Sequence, residues 1–415
     1  MQEYNIFNTE LQKGLDSFFL SPKEEWERSA IKFVNGYAED ELRRLVDLDK
    51  RKQSGAFFTN SDLANHVLKK LNVEFKDGDT IYDPCVGAAN LLISAASIAT
   101  ANGHNIILQG TDIHPEFCEA AELRLSIQNL LLFGGETREK LKFSIKVGDA
   151  LENNINYLTA SHIITNPPFN PMPAPSDIKW SSGKVSAAAV FMDRIISYAS
   201  AGKAIIAILP DVLRSGTRYD KWRKMVELHC DIKKIQLLGQ FDKYADIDVF
   251  AIELCKRPVA SPAEPSFHWV GASASNASTV GDQFIVRVGQ VVDNRDPRAG
   301  TSRPFLTSKG MKGWEKLNNW PYRRLHCGNP VECPFIVIKR TSRMGDSNRA
   351  IATIIDMDEP VFIDNHLIVL KPKSGKLSTC VKLVKKLKSK QVDNWINERI
   401  RCRHLTVKVV SQIPL

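Results

Sequence analysis

The chain has 415 residues, 43% of them apolar and 25% charged, enough for an ordinary globular core and for more than one domain of typical size. Its net charge of +9 hides an asymmetry: residues 287–415 carry 25 Lys and Arg against 11 Asp and Glu, so the remainder is slightly acidic. No run reaches the roughly 18 apolar residues of a membrane-spanning helix, and the opening residues lack the basic-then-apolar pattern of a secretion signal. The eight cysteines form no CxxC pair. Cys327 and Cys333, with His326, stand at a spacing that fits no common zinc pattern. A cytoplasmic protein with no membrane partner and no metal is the expectation.

Residues 1–50 read as a helical N-terminal region, with Trp26, Ile31, Phe33, Leu42, Leu45 and Val46 at helical spacing among charges. From 51 to 257 short apolar strands alternate with helical stretches. TIYDP, IILQGTDI, FSIKVGDA, HIITNPPF, AIIAILP and IKKIQLLG are strands; LLISAASIATANG and FCEAAELRLSIQNLLL are helices between them. This rhythm predicts an α/β, Rossmann-like domain with a mostly parallel sheet covered on both faces. Residues 258–285, rich in Pro, Ser and Ala, read as a linker. Residues 286–415 form a basic domain with strands PFIVIKRT, AIATIID and NHLIVLK, followed by one basic helix, CVKLVKKLKSKQVDNWINERIR.

The strongest local motif is Asn166-Pro167-Pro168-Phe169, directly after an apolar strand, where an open α/β sheet places its ligands. An aromatic amine is a poor nucleophile because its lone pair is delocalised. Two acceptors facing its hydrogens, the Asn166 side-chain oxygen and the Pro167 carbonyl, favour a tetrahedral nitrogen and stabilise the positive charge that grows on it. The two prolines stiffen the turn, and Phe169 offers a face for a base swung out of a duplex.

Upstream, Asp83-Pro84-Cys85-Val86-Gly87-Ala88-Ala89-Asn90 forms a small-residue turn that opens a helix and allows a cofactor close to the backbone. The next strand ends in Asp112, suited to ribose hydroxyls. A third ends in Gly148-Asp149-Ala150, where Asp149 can accept from an adenine amino group.

With these residues in this order, the segment from about Gly55 to Arg257 resembles the gamma-class adenine-N6 DNA methyltransferases of restriction–modification systems. The resemblance implies S-adenosyl-L-methionine as cofactor. It places Thr59, in GAFFT, and the Asp83–Gly87 turn with Pro84 and Asn90 at the methionine end. It puts Asp112 at the ribose, Asp149 and Ala150 at the adenine, Phe191 against the ring, and Asn166 to Phe169 in the catalytic loop. One departure is Ala89, where the family often has a second glycine.

The resemblance also implies double-stranded DNA as substrate, a C-terminal target-recognition domain, and a separate restriction endonuclease or specificity subunit as partner. Candidate DNA contacts are Lys179 and Lys184 in the loop after the catalytic motif, and Arg340, Arg343, Arg349, Arg401 and Arg403 in the basic third; Arg214 and Arg218 also face the expected edge. An RNA base methyltransferase and a non-catalytic DNA-binding relative are the competing readings.

Overall fold

The computed structural model describes residues 1–134, 141–152, 155–242, 245–261, 267–270, 278–309, 311–342, 346–400 and 403–415. They form two compact units: Met1–Leu213 with Arg218–Phe267, and Arg214–Thr217 with His268–Leu415. The second unit thus begins inside the stretch read as a linker, where a capped helical turn and the start of a strand also lie.

The first unit opens with helices α1 (Asn5–Asp16), α2 (Lys23–Val34), α3 (Tyr37–Leu45), α4 (Leu48–Ser54) and α5 (Ser61–Leu71). In α2, Trp26, Ala30, Phe33 and Val34 recur at helical spacing and are buried. Ile31, expected on that stripe, lies off it and is 51% exposed. Asp47 caps α4 by accepting the Asp49 N–H, and Gly55 ends the helix at φ 71°, a left-handed conformation that suits glycine. Tyr4, Phe7, Leu11 and Trp26 share one core with Ile81, Leu92 and Leu108 of the domain that follows.

That domain runs β1 (Thr80–Asp83), α6 (Asn90–Ala101), β2 (Ile107–Asp112), α7 (Pro115–Phe133), β3 (Lys142–Val147), α8 (Asn156–Thr159) and β4 (His162–Thr165). A small hairpin, β5 (Pro171–Pro173) and β6 (Lys184–Ser186), leads to α9 (Ala187–Tyr198), β7 (Ala204–Pro210), α10 (Asp211–Ser215), α11 (Asp220–His229), β8 (Cys230–Asp242) and β9 (Ala245–Lys256). The sheet order is β3-β2-β1-β4-β7-β9-β8. Strands β3, β2, β1, β4 and β7 are parallel, while β9 runs antiparallel to both β7 and β8. All six expected strands are present, and β9 is an addition to them. Strand order reverses between β1 and β4, which opens a crevice at their carboxyl ends.

The second unit holds α12 (Val280–Gln283), β10 (Phe284–Val288), β11 (Thr301–Leu306), β12 (Lys316–Leu317), β13 (Arg323–His326), β14 (Phe335–Lys339), β15 (Ala352–Ile355), β16 (Phe362–Ile363), β17 (Leu367–Pro372), α13 (Leu377–Leu387), α14 (Lys390–Arg399) and α15 (Val407–Ser411). One sheet has the order β10-β17-β14-β15-β12 and a smaller one β13-β11-β16. The expected single basic helix is two. Ser389 interrupts it and caps α14, its hydroxyl accepting the Val392 N–H at 3.3 Å. Cys380, Leu383 and Leu387 of α13 pack with Val392 and Ile396 of α14 against the sheet, leaving the lysines outside. No helix among the described residues is long and apolar enough to cross a membrane.

Candidate active site

A cavity of about 280 Å³ sits at the carboxyl ends of the parallel strands. Pro84 and Gly87 after β1, Asp112 ending β2, Gly148, Asp149 and Ala150 after β3, and Asn166 and Pro168 after β4 line it, with Phe191 from α9. A smaller space of about 30 Å³ shares Gly87 and Asn166 and is lined by Thr59, Asp83 and Asn90. Residues read from six separate segments are therefore brought together. Pro167 and Phe169 line neither space; the Phe169 ring lies edge-on to Phe241, with centroids 5.5 Å apart.

The carboxylates shape the turns that they end. Asp83 Oδ1 accepts the Cys85 N–H at 3.0 Å. Asp112 accepts the Gly87 N–H through Oδ2 at 3.0 Å and the His114 N–H through Oδ1 at 2.9 Å. Burial pushes the Asp83 carboxyl up to about 7 and raises that of Asp112, with the backbone N–H bonds opposing both shifts. Asp149 Oδ1 accepts the Leu151 N–H at 2.9 Å. Ala150, Ala187 and Phe191 make an apolar wall beside it, suited to one face of a flat ring.

Two glycines bring backbone close to the cavity. At Gly87 (φ 49°) a Cβ would lie 2.8 Å from the Phe58 ring. At Gly55 it would lie 2.6 Å from Pro168 Cβ and 2.8 Å from Asn170 Oδ1, so the loop after β4 rests directly on the end of α4. Ala89 adopts φ 64° and opens α6. A side chain in that conformation costs about 1–2 kcal/mol. Thr59 is buried, and its carbonyl accepts from Asn90 Nδ2 at 2.6 Å.

Asn166 is the pivot. Its Nδ2 donates to the Phe57 carbonyl at 3.5 Å, which turns the amide, and its buried Oδ1 has no hydrogen-bond partner among the described residues. An acceptor held in a cavity wall with its lone pairs unused is what an incoming amine requires. The sequence reading missed Phe57, Phe58, Ile113, Phe117 and Met172, which also line the cavity. The aromatic pair in GAFFT was the available signal for the first two.

The basic residues divide. Lys179 is exposed in the loop that follows Asn166–Phe169, and Lys184 is exposed at the start of β6. That loop is tethered: Arg194 pairs with Asp177 through two bonds of 2.5 and 2.9 Å, Arg218 donates to Ser182 O at 3.0 Å, and Trp180 is buried. In the second unit, Arg340 and Arg403 lie beside His404 with His366, and burial together with these charges lowers the His404 pKa. Arg349 corrects the expectation of a DNA contact. It is wholly buried, donating to Ser342 Oγ and Asn397 Oδ1, both at 2.8 Å, and to Ile400 O at 3.1 Å. Its donors hold the fold together and cannot reach a phosphate from there. Arg214 is likewise buried, donating to Trp269 O. Arg343 and Arg401 lie outside the described residues. No group of metal-ligating side chains occurs among the described residues.

Residues 42–240 match the family model described as N-6 DNA Methylase. No curated protein matches the sequence. Among solved structures, the chain is similar to a protein from Listeria monocytogenes assigned as a class I S-adenosylmethionine-dependent methyltransferase (17% identity, 63% of this chain and 91% of that one, TM-score 0.42). It is also similar to the type IIG restriction endonuclease BpuSI (13%, 92% and 61%, 0.49). A third likeness is to a type I restriction-modification methyltransferase subunit from Streptococcus thermophilus (18%, 53% and 49%, 0.38). The chain thus spans about half of that subunit and about three fifths of BpuSI. Residues 42–240, just under half of the chain, are thus similar to the N-6 DNA methylases, and they carry the parallel strands of the α/β, Rossmann-like sheet and the residues that line the cavity.

Proposed function

We propose that the chain methylates the exocyclic N6 of adenine in double-stranded DNA, as the modification enzyme of a restriction–modification system. The observation that carries this reading is the unpartnered, buried Asn166 Oδ1 in the wall of a cavity that also collects Asp112, Asp149 and Phe191. The residues fit the cofactor. Asp112 would hold the ribose, Asp149, Ala150 and Phe191 the adenine, and the Asp83–Gly87 turn with Pro84, Thr59 and Asn90 the methionine end. When bound, S-adenosyl-L-methionine supplies an electrophilic methyl group on a sulfonium centre.

The chain supplies position and charge stabilisation. Asn166 Oδ1 and the Pro167 carbonyl would accept the two amine hydrogens of the target adenine. They would keep the nitrogen lone pair out of the ring and offset the positive charge that grows there. No cysteine adduct is needed, because the amine carries its own lone pair. The target base would leave the duplex to reach this depth, with Phe169 as its stacking surface once the ring turns from Phe241. Exposed Lys179 and Lys184 would meet phosphates near the cavity, and Arg340 and Arg403 would serve the basic unit, where base reading by Arg gives sequence specificity. A separate endonuclease or specificity subunit would complete the system.

The Asn166→Ala variant tests the role. Turnover should fall on the order of 10²-fold or more, while affinity for duplex DNA stays within a few-fold. Equal losses in both would assign Asn166 to binding instead.

A further inference from the structure

Behind the proposed cofactor turn lies a buried charged pair, Glu39 and Arg124, that the chemistry above does not use, next to Asn90, which it does. Glu39 on α3 is 3% exposed, Arg124 in the middle of α7 is 0% exposed, and Asn90 at the start of α6 is 5% exposed. Arg124 donates from Nε to the Phe33 carbonyl at 2.6 Å, near the end of α2, and from Nη1 to the Ala88 carbonyl. Asn90 is held from the other side by its bond to Thr59 O. The Glu39 carboxyl is near enough to the Arg124 guanidinium and the Asn90 side chain to feel both, yet its two buried oxygens, like Arg124 Nη2, have no hydrogen-bond partner among the described residues. Arg43 approaches it from its own helix, and Tyr4, whose hydroxyl donates to Ala38 O at 3.0 Å, approaches from the N-terminal turn. Two of these bonds end on the residues that flank Ala89, the left-handed alanine of the turn.

We propose that Glu39 and Arg124 are positioning residues that hold the Ala88–Asn90 corner in its cofactor-binding shape, which makes the N-terminal helices part of the cofactor site. A guanidinium at this depth is costly without a counter-charge. Ionised Glu39 supplies that charge and keeps Arg124 set on the Ala88 carbonyl; protonation withdraws it. Burial raises the Glu39 carboxyl to about 7 against the pull of Arg124, so both forms are within reach near neutral pH. The inference rests on the cofactor lying against the Asp83–Gly87 turn.

The test compares the dissociation constant of S-adenosylhomocysteine, by calorimetry, for the unaltered chain and Glu39→Gln at about pH 5.5 and about pH 8.5, well to either side of neutrality. Glutamine mimics the protonated carboxyl. The two proteins should therefore bind alike at the lower pH, and the variant roughly tenfold more weakly at the higher one. A ratio that is the same at both pH values would overturn the proposal, whether it is one or a uniform loss from altered packing. If the unaltered chain binds no S-adenosylhomocysteine, the cofactor placement fails. Hydrogen exchange on the unaltered chain then decides the clamp by itself, and also does so if Glu39→Gln does not fold. Protection across residues 88–91, beyond the Cys85 and Gly87 N–H groups that Asp83 and Asp112 hold, should fall from the higher pH to the lower one relative to the rest of the unit, after correction for intrinsic exchange. Unchanged protection there would overturn it.

Discussion

In the proposed reaction, Asn166 and Gly55 divide the work of the loop after β4 between an acceptor and the surface on which the loop rests. Gly55→Ala would place a Cβ 2.6 Å from Pro168 Cβ at a left-handed φ. A cost of about 1–2 kcal/mol and a displaced loop are expected, seen as a lower melting temperature together with reduced turnover. Unchanged melting and turnover would mean that the loop does not lean on this residue. Asp83 gives a pH signature. Burial raises its carboxyl to about 7 in the folded chain, against about 4 when unfolded. Ionisation is thus penalised in the folded state, so the stability that the group contributes is complete below about pH 4 and lost as pH rises through about 7. Asp83→Asn removes that loss while keeping an acceptor for the Cys85 N–H. Its melting temperature should exceed that of the unaltered chain at about pH 8 and converge with it at low pH; a constant gap would contradict the assignment. At this scale Asp83, Asp112, Asp149 and Asn166 were legible because each is a polar residue ending an apolar strand. Arg349 was not, because a charge in a sequence carries no record of whether its donors meet solvent or carbonyls.

The elements were legible in proportion to how cleanly their apolar runs stand out. Strands such as AIIAILP, buried on both faces, announce themselves. Strand β9 did not, since Glu253 and Lys256 interrupt its pattern and its pairing with β8 contains register shifts. The basic helix read as one because lysines continue across Ser389; the break depends on a single capping hydroxyl. Arg349 ties β15 and α14 together from the loop just before β15, through the Asn397 side chain and the Asp393 carboxylate, which accepts the Arg349 N–H at 2.6 Å. Arg349→Ala should destabilise the second unit by about 3–5 kcal/mol, the range for breaking a buried charged network. An exposed residue of α13, Lys385→Ala, should change stability by less than about 0.5 kcal/mol. Thermal unfolding of both variants decides; similar small shifts would return Arg349 to the surface.

For the whole molecule, a slightly acidic unit that holds the cavity and a unit that carries the net positive charge suit the proposed methylation of a polyanion. Charge balance and strand rhythm supplied the expected division. They did not reveal that the N-terminal helices share the core of the catalytic sheet, because amphipathic helices look alike whether they cap a domain or complete it. The most direct test of the central claim is methyl transfer from labelled S-adenosyl-L-methionine to duplex DNA of varied sequence, followed by digestion to nucleosides, with RNA in parallel. Label recovered as N6-methyl-2′-deoxyadenosine is the predicted result. Label confined to RNA, or to another base of DNA, would contradict it.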